Sequence, residues 1–269
     1  MARRYRPASV SQEDQWSQET GVSISHKGFN LFCLIMNLQE ALDLWQHGHQ
    51  PTDTAELPPH IQCRLETAPE HARAAVARVT SEDANRALPL AAKAAASSTS
   101  GKRVFWLQKA AQSLADTYGT HSACRPGCSH CCHIPVKITQ AEAIYIGRQI
   151  GRRPRAAEHL GPPPSIVGYE SPCPFLAGDS CSIYEWRPMV CRSHLNFDQD
   201  DLLCRLLPGM SVPVPYLDTR LLVLAAIDIL GQTQPIADIR QWFGDVGSEQ
   251  HDRPSTGRTS LHKQLRGNE

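Results

Sequence analysis

The pattern of apolar and polar positions predicts a chain built of separate helices. Leu31, Leu34, Ile35, Leu38, Leu42 and Trp45 follow an i, i+3, i+4, i+7 stripe, which predicts one amphipathic helix. Residues 48–60 read as loop, and His47 and His49 stand at the helix end as solvated caps. Residues 69–97 are Ala-rich, with good helix propensity and an interruption at Pro89. After a polar linker at 97–102, Val104, Leu107, Ala111, Leu114 and Tyr118 predict an amphipathic helix over 103–118, ended by Gly119. Thr139 and Glu142 have capping-box spacing and open a helix with Ala143, Ile146, Gly147 and Ile150 on one face, closed by Gly151. Residues 152–172, with three consecutive prolines, read as an irregular excursion, and Arg152, Arg153 and Arg155 as a solvated helix exit. Asp218–Leu230 is apolar almost all round, which predicts a buried helix ending at Gly231, with a further short helix near 235–244. Tyr184 and Trp186 alternate with Ile183 and Glu185 and suggest a short strand.

These elements predict a mainly α protein whose helices pack around an irregular cysteine-rich metal-binding core, with at most short strands. Residues 1–28 form a disordered arm, 29–102 a helical N-terminal region, 103–246 the cysteine-cluster metal-binding domain and 247–269 a disordered tail. The 269 residues are enough chain for a real core.

Charge narrows the function. The chain has 27 Lys+Arg and 27 Asp+Glu, and from 121 to 210 there are nine Lys/Arg against eight Asp/Glu. That balance argues against nucleic acid or an anionic membrane as partner. The apolar runs Leu31–Leu38 and Leu221–Ile227 are eight and seven residues long, too short to span a bilayer, and no signal-peptide pattern is present. A cytoplasmic location is expected. Ten cysteines in such a chain read as metal ligands or free thiols rather than disulfides.

The candidate chemistry lies in two cysteine blocks. Cys124, Cys128, Cys131 and Cys132 fall within nine residues, around a Pro126-Gly127 turn that can aim the first two sulfurs at one point. Cys173, Cys181 and Cys191 follow after 41 residues. Thiolates are soft donors suited to zinc or iron–sulfur clusters, and either centre takes about four protein ligands. Seven thiols therefore imply two centres, or one centre and spare thiols. Adjacent Cys131 and Cys132 point apart in most backbones, so they serve different centres or only one of them ligates. Cys204 could complete an eight-thiol set or pack in the core, and His130, His133 and His194 are candidate ligands or supporting donors. Cys33, opposite its helix stripe, and Cys63, in a loop-like stretch, read as incidental thiols. Arg187 and Arg192 either stabilise thiolates or an anionic substrate, or form ion pairs with Asp179, Glu185 or Asp198.

The spacing C-x3-C-x2-C-C, then Val136, Ile138, Thr139, Glu142 and Ala143, then Cys173 to Leu176, then Cys181, Ile183, Tyr184, Arg187, Pro188, Cys191 and Arg192, resembles the YkgJ-type cysteine cluster family. That family is described as a zinc- or iron-chelating domain, and flagellin lysine N-methylase carries a related cluster. The resemblance covers roughly residues 105–205. It implies a metal-binding protein that chelates zinc or iron, including the option of a [4Fe–4S] cluster, through the seven cysteines. Two alternatives stand beside it: an iron–sulfur-dependent protein-modifying enzyme akin to the methylase, although no adenosylmethionine site is legible, and a zinc-stapled interaction module.

Overall fold

A computed structural model describes residues 53–162 and 169–244, which lie within one contact unit, 47–269. The stripe at 31–45, Cys33, His47, His49, the arm at 1–28 and the tail at 247–269 fall outside the described residues. The architecture is mainly α, with only two-stranded sheets among the described residues.

The first helix, α1, runs Pro59–Val76, with Pro59 at its start and Pro69 inside it. It takes in the end of the expected loop and also Cys63, which sits exposed on a helix rather than in a loop. Two short helices follow, α2 (Ser81–Asn85) and α3 (Leu88–Ala95). Pro89 opens α3 instead of interrupting a longer helix, because the missing N–H costs nothing in a first turn. The stripe at 103–118 belongs to α4 (Ser100–Tyr118), which starts three residues early because Thr99 accepts from the Lys102 N–H. Val104, Leu107, Ala110 and Ala111 are its buried apolar positions, with Gln108 buried beside them.

Next, β1 (Lys137–Thr139) leads into α5 (Gln140–Ile150), which Gly151 closes in the left-handed conformation at φ 70. The hairpin strands β2 (Leu176–Ala177) and β3 (Ser180–Cys181) precede α6 (Met189–Ser193). Then comes α7 (Arg220–Leu230), followed by β4 (Ile236–Asp238) and α8 (Ile239–Phe243). The β4–β1 pairing is antiparallel, with Ile138 opposite Ala237. Helix α4 is the hub, packing against α3, α5, α6 and α7. Helix α7 buries one face, Leu222, Val223, Ala226 and Ile227, and leaves Leu221 79% exposed, so it is not buried all round.

The main core joins Ile138, Ile146, Phe175, Ile183, Ile239, Trp242 and Phe243. It forms because β1, α5 and α8 each present an apolar face to one another. A full capping box stands at Asp238, which accepts from Arg240 N while Gln241 accepts from Asp238 N. At Thr139 only half of the expected box forms: its hydroxyl accepts from Glu142 N, but the Glu142 carboxylate turns inward. There it accepts from Met189 N at 2.7 Å and Gln108 Nε2 at 3.3 Å, tying α5 to α6 and α4.

Burial pushes the Glu142 carboxyl above its usual range, against the pull of its hydrogen bonds and Arg192. A raised carboxyl holds its proton longer in the folded state, so stability declines as pH rises through the unfolded value. Glu142→Gln is expected to keep the accepting oxygen and to flatten that decline in denaturant titrations run across pH. Glu142→Ala strands two buried donors and should cost at least about 2 kcal/mol.

The basic run after α5 is not a solvated exit. Arg152 donates to the carbonyl of Phe243 and stacks 5.5 Å from the Phe175 ring, while Arg155 donates to Gly244 O at 3.2 Å. The segment packs so closely on α5 that a Cβ on Gly147 would lie 2.5 Å from Arg152 O.

Candidate metal centre

The first cysteine block is folded by its turn. Cys128 N donates to Arg125 O at 3.1 Å, and Gly127 has φ 86, as the third position of a type II turn demands. Nothing lies within 4 Å of a Cβ placed there, so the conformation alone selects glycine. Gly127→Ala should cost about 1–2 kcal/mol through its backbone, read as a lower denaturation midpoint, and should loosen the loop carrying Cys128. Residues His130–Cys132 make a 3-10 turn. Cys132 O then accepts from Cys173 N at 2.7 Å, a backbone bond that joins the two cysteine blocks directly.

The second block is built on the main core. The β2–β3 hairpin sets Leu176 opposite Cys181 around Gly178, at φ 59. Tyr184–Trp186 is a 3-10 turn, not a strand, and its Trp186 N–H closes back on Ile183 O at 2.8 Å. Pro188 caps α6, which carries Cys191. Cys173, Cys181 and Cys191 all pack against the main core. Arg240 braces both blocks: it donates to Ser171 O at 2.7 Å and to the carbonyl of Ile134.

A third segment, which sequence spacing did not identify, completes the surroundings. Residues 195–197 pair with 215–217 through Phe197 N to Pro215 O and Leu217 N to Leu195 O, which brings Tyr216 to the cysteines. Asn196 N donates to Cys124 Sγ at 3.4 Å, and Asn196 Nδ2 donates to Cys204 Sγ at 3.3 Å. The Tyr216 hydroxyl also hydrogen-bonds Cys204.

The mutual influence of the thiols divides them into two neighbourhoods. Burial pushes Cys204 up to about 12, and the nearby Cys124, Cys128 and Cys131 push the same way. Burial also raises Cys128, with Cys131, Cys124 and Asp201 adding to it. On the core side, burial raises Cys173 to about 11, with Cys181 contributing, and holds Cys191 far above its usual value, with Cys131, Cys173 and Cys181 contributing. Cys131 belongs to both groups, and its hydrogen bond with Cys132 raises it strongly. At Cys128, Cys173, Cys191 and Cys204 burial and neighbouring thiols hold the proton on sulfur, a cost that a bound cation would offset by replacing the protons.

The histidines differ. His130 donor atoms lie near Cys128 and Asp201, while His133 sits against Tyr169 with ring centroids 4.8 Å apart. His194 stacks on Tyr216 at 3.9 Å, and burial lowers its ring to about 4. Among the described residues, His133 Nδ1 and His194 Nε2 are buried without a hydrogen-bond partner.

Arg192 forms none of the ion pairs considered from sequence. It donates to Arg187 O at 3.0 Å, to Gln112 Oε1 at 2.8 Å and to the carbonyl of Glu185. Asp198 pairs instead with Arg64 at 2.9 Å and lies 3.1 Å from His71. Arg187 stacks on Tyr184 at 4.0 Å, and its charge lowers the Cys131 thiol slightly against the larger raising effects. A cleft of about 550 Å³ lies between the α2–α3 region and α4, lined by Arg78, Asp83, Arg86, Trp106, Lys109 and Gln112 among others, with no cysteine in its wall.

With this geometry in view, comparison with known families is informative. Residues 123–205 match the CxxCxxCC family, described as "Putative zinc- or iron-chelating domain". The match takes in every cysteine of both blocks and ends one residue beyond Cys204. It covers just under a third of the chain, and the family resemblance read from the motifs holds over that stretch. This chain departs from the family's namesake spacing by one residue, with three positions between Cys124 and Cys128, and the Pro126-Gly127 turn absorbs the extra one. No curated protein and no solved structure matches the chain. The match supports metal binding. Among the described residues, no helix is long and apolar enough to cross a membrane.

Proposed function

We propose that this protein chelates zinc or iron through Cys124, Cys128, Cys131, Cys132, Cys173, Cys181 and Cys191, arranged as two neighbouring centres with Cys204 as an eighth thiol. The observation that carries this reading is the match of 123–205 to a zinc- or iron-chelating domain whose two cysteine blocks meet here through the Cys173 N to Cys132 O bond, and Cys131 lies close enough to influence both Cys191 and Cys204. In this reading Cys173, Cys181 and Cys191 form the core-side centre and Cys124, Cys128 and Cys204 the loop-side one, with Cys131 and Cys132 divided between them. Two centres resolve the excess of thiols over the about four ligands that one zinc or one cluster takes. They also give adjacent cysteines separate duties.

The test is metal and acid-labile sulfide content, with an absorption spectrum, on the full chain purified without oxygen. Iron with stoichiometric sulfide and a broad visible band identifies a cluster. Zinc without a visible band identifies closed thiolate sites. Protein that takes up neither metal overturns the reading. Cys128→Ala and Cys191→Ala are each expected to lower bound metal, and full occupancy in both variants would show the ligand assignment to be wrong.

A further inference from the structure

The loop-side neighbourhood contains more than sulfur. One donor atom each from Cys128, His130 and Asp201 lie within 4.8 Å of one another, and all three residues are half-buried. These residues come from two distant segments, 128–130 and 201. Their meeting depends on the Pro126-Gly127 turn on one side and on the 3-10 turn Leu202–Cys204 that follows Asp201 on the other.

His130 Nε2 and Asp201 Oδ2 are hydrogen-bonded at 3.3 Å. Two ligands on one tetrahedral zinc, each bonded at about 2.0–2.2 Å, stand roughly 3.4 Å apart. The pair is therefore already spaced to take an ion between its atoms in place of the shared proton, with Cys128 Sγ within reach.

The second ring nitrogen is also held as a metal-bound histidine requires. Nδ1 of His130 is 2.7 Å from the Tyr169 hydroxyl, which itself accepts from Leu206 N at 3.2 Å. The hydroxyl has a lone pair left to accept from an Nδ1–H, the tautomer that frees Nε2 for a metal, and the contact turns Nε2 towards Asp201. The other carboxylate oxygen of Asp201 faces Arg205 at 3.3 Å and Arg125 at 3.7 Å. Those guanidiniums orient the carboxylate.

We propose that Cys128 Sγ, His130 Nε2 and Asp201 together bind one zinc ion in a mixed sulfur–nitrogen–oxygen centre, leaving a fourth position open to solvent. The inference rests on the two-centre reading above and changes the character of one centre. The core-side centre is all-thiolate and closed, as structural zinc sites are. The loop-side centre has three protein donors, the arrangement that leaves room for water or an anionic ligand. Arg125 and Arg205 supply positive charge beside it, which favours an oxyanion such as a carboxylate. Cys124 and Cys204 lie beside this centre, where Asn196 donates to both sulfurs; in this version of the loop-side centre they border the ion, and His130 and Asp201 take the places that the all-thiolate version gives them.

The experiment uses the full chain loaded with zinc, or with cobalt(II) as a spectroscopic stand-in. Bound metal is counted per chain in the wild type, His130→Ala, Asp201→Asn, Tyr169→Phe and Cys173→Ser. His130→Ala and Asp201→Asn are each expected to lose one metal equivalent and keep the other, while Cys173→Ser loses the complementary one. Tyr169→Phe removes only the support for the ring and should weaken that one site about 10–100-fold.

The cobalt spectrum separates a ligand from a merely structural residue. The component lost in His130→Ala should carry the near-ultraviolet charge-transfer intensity of one thiolate, and adding acetate should shift its visible bands. Intensity corresponding to three or four thiolates would overturn the mixed-donor assignment, as would full occupancy with unchanged spectra in both His130→Ala and Asp201→Asn. If the wild type binds no metal, the parent reading fails. If the wild type and Cys173→Ser behave as expected and the His130 and Asp201 variants do not, only this inference fails. Asp201→Asn and Tyr169→Phe preserve shape and keep the test valid should His130→Ala fold poorly.

Discussion

Stripping the metal from the full chain with a strong chelator is expected to lower its thermal midpoint by at least about 10 °C. The ligands of the first block come from a segment with few apolar contacts of its own, since Cys124 and Cys131 are exposed and lie in loop and 3-10 turn. Apart from metal, 123–132 is tied to 171–191 chiefly by the Cys173 N to Cys132 O bond and the Ser129 Oγ to Asp179 Oδ1 bond, with Arg240 bridging Ile134 O to Ser171 O. Structural zinc sites in small domains contribute about 10–16 kcal/mol of apparent binding free energy. If only about 5 kcal/mol of this is expressed as stability, the midpoint falls by roughly 10–20 °C for a unit of this size. Cys173, Cys181 and Cys191 pack on the main core, so the loss should reach β1, α5 and α8. Helix α4 should survive best, since α3 and α7 also hold it. The measurement is a pair of melts with far-ultraviolet circular dichroism, with and without chelator. Superimposable melts would mean that folding does not depend on metal.

Replacing Arg192 with Ala is expected to destabilise the fold by about 3–5 kcal/mol, a midpoint drop of roughly 6–20 °C. The Arg192 guanidinium is buried and satisfies two backbone carbonyls, of Glu185 and Arg187, and the Gln112 side chain. It fastens the turn before α6 to α4, and α6 carries Cys191. Removing it strands those acceptors and also removes the positive charge beside the buried Glu142. Arg192→Lys keeps the charge but lacks the planar fork needed to reach three acceptors, so it should recover only part of the loss. The loss should also weaken metal retention on the core side, because Cys191 is adjacent in the chain. Equal stability of wild type and Arg192→Ala in urea would refute the role.

The contrast between Thr139 and Asp238 shows where local rules give way. Both have capping-box spacing. At Asp238 the glutamine at the third position reaches back with its oxygen, which no other donor claims, while its amide nitrogen donates to Gly161 O. At Thr139 the third residue, Glu142, is claimed by Met189 N and Gln108 across the core. Spacing cannot rank a local bond against a tertiary one. The same limit applies to Tyr184 and Trp186, whose alternation suggests a strand, while the segment closes as a 3-10 turn with Trp186 N on Ile183 O.

By itself, the sequence determined the helical character of the chain, the apolar faces of α4 and α5, the stop at Gly151, the Pro126-Gly127 turn and the concentration of thiols in two blocks. These follow from periodicity, backbone preference and residue chemistry, which act over a few neighbouring positions. Only the tertiary structure decided which thiols share a neighbourhood, that Asn196, Cys204 and Tyr216 join the first block, that Arg240 braces both, and that Asp201 faces His130. Asp201 lies 71 residues from His130 along the chain. No local preference encodes a separation of that length, because the contact exists only once helix packing and strand pairing have closed the intervening loop.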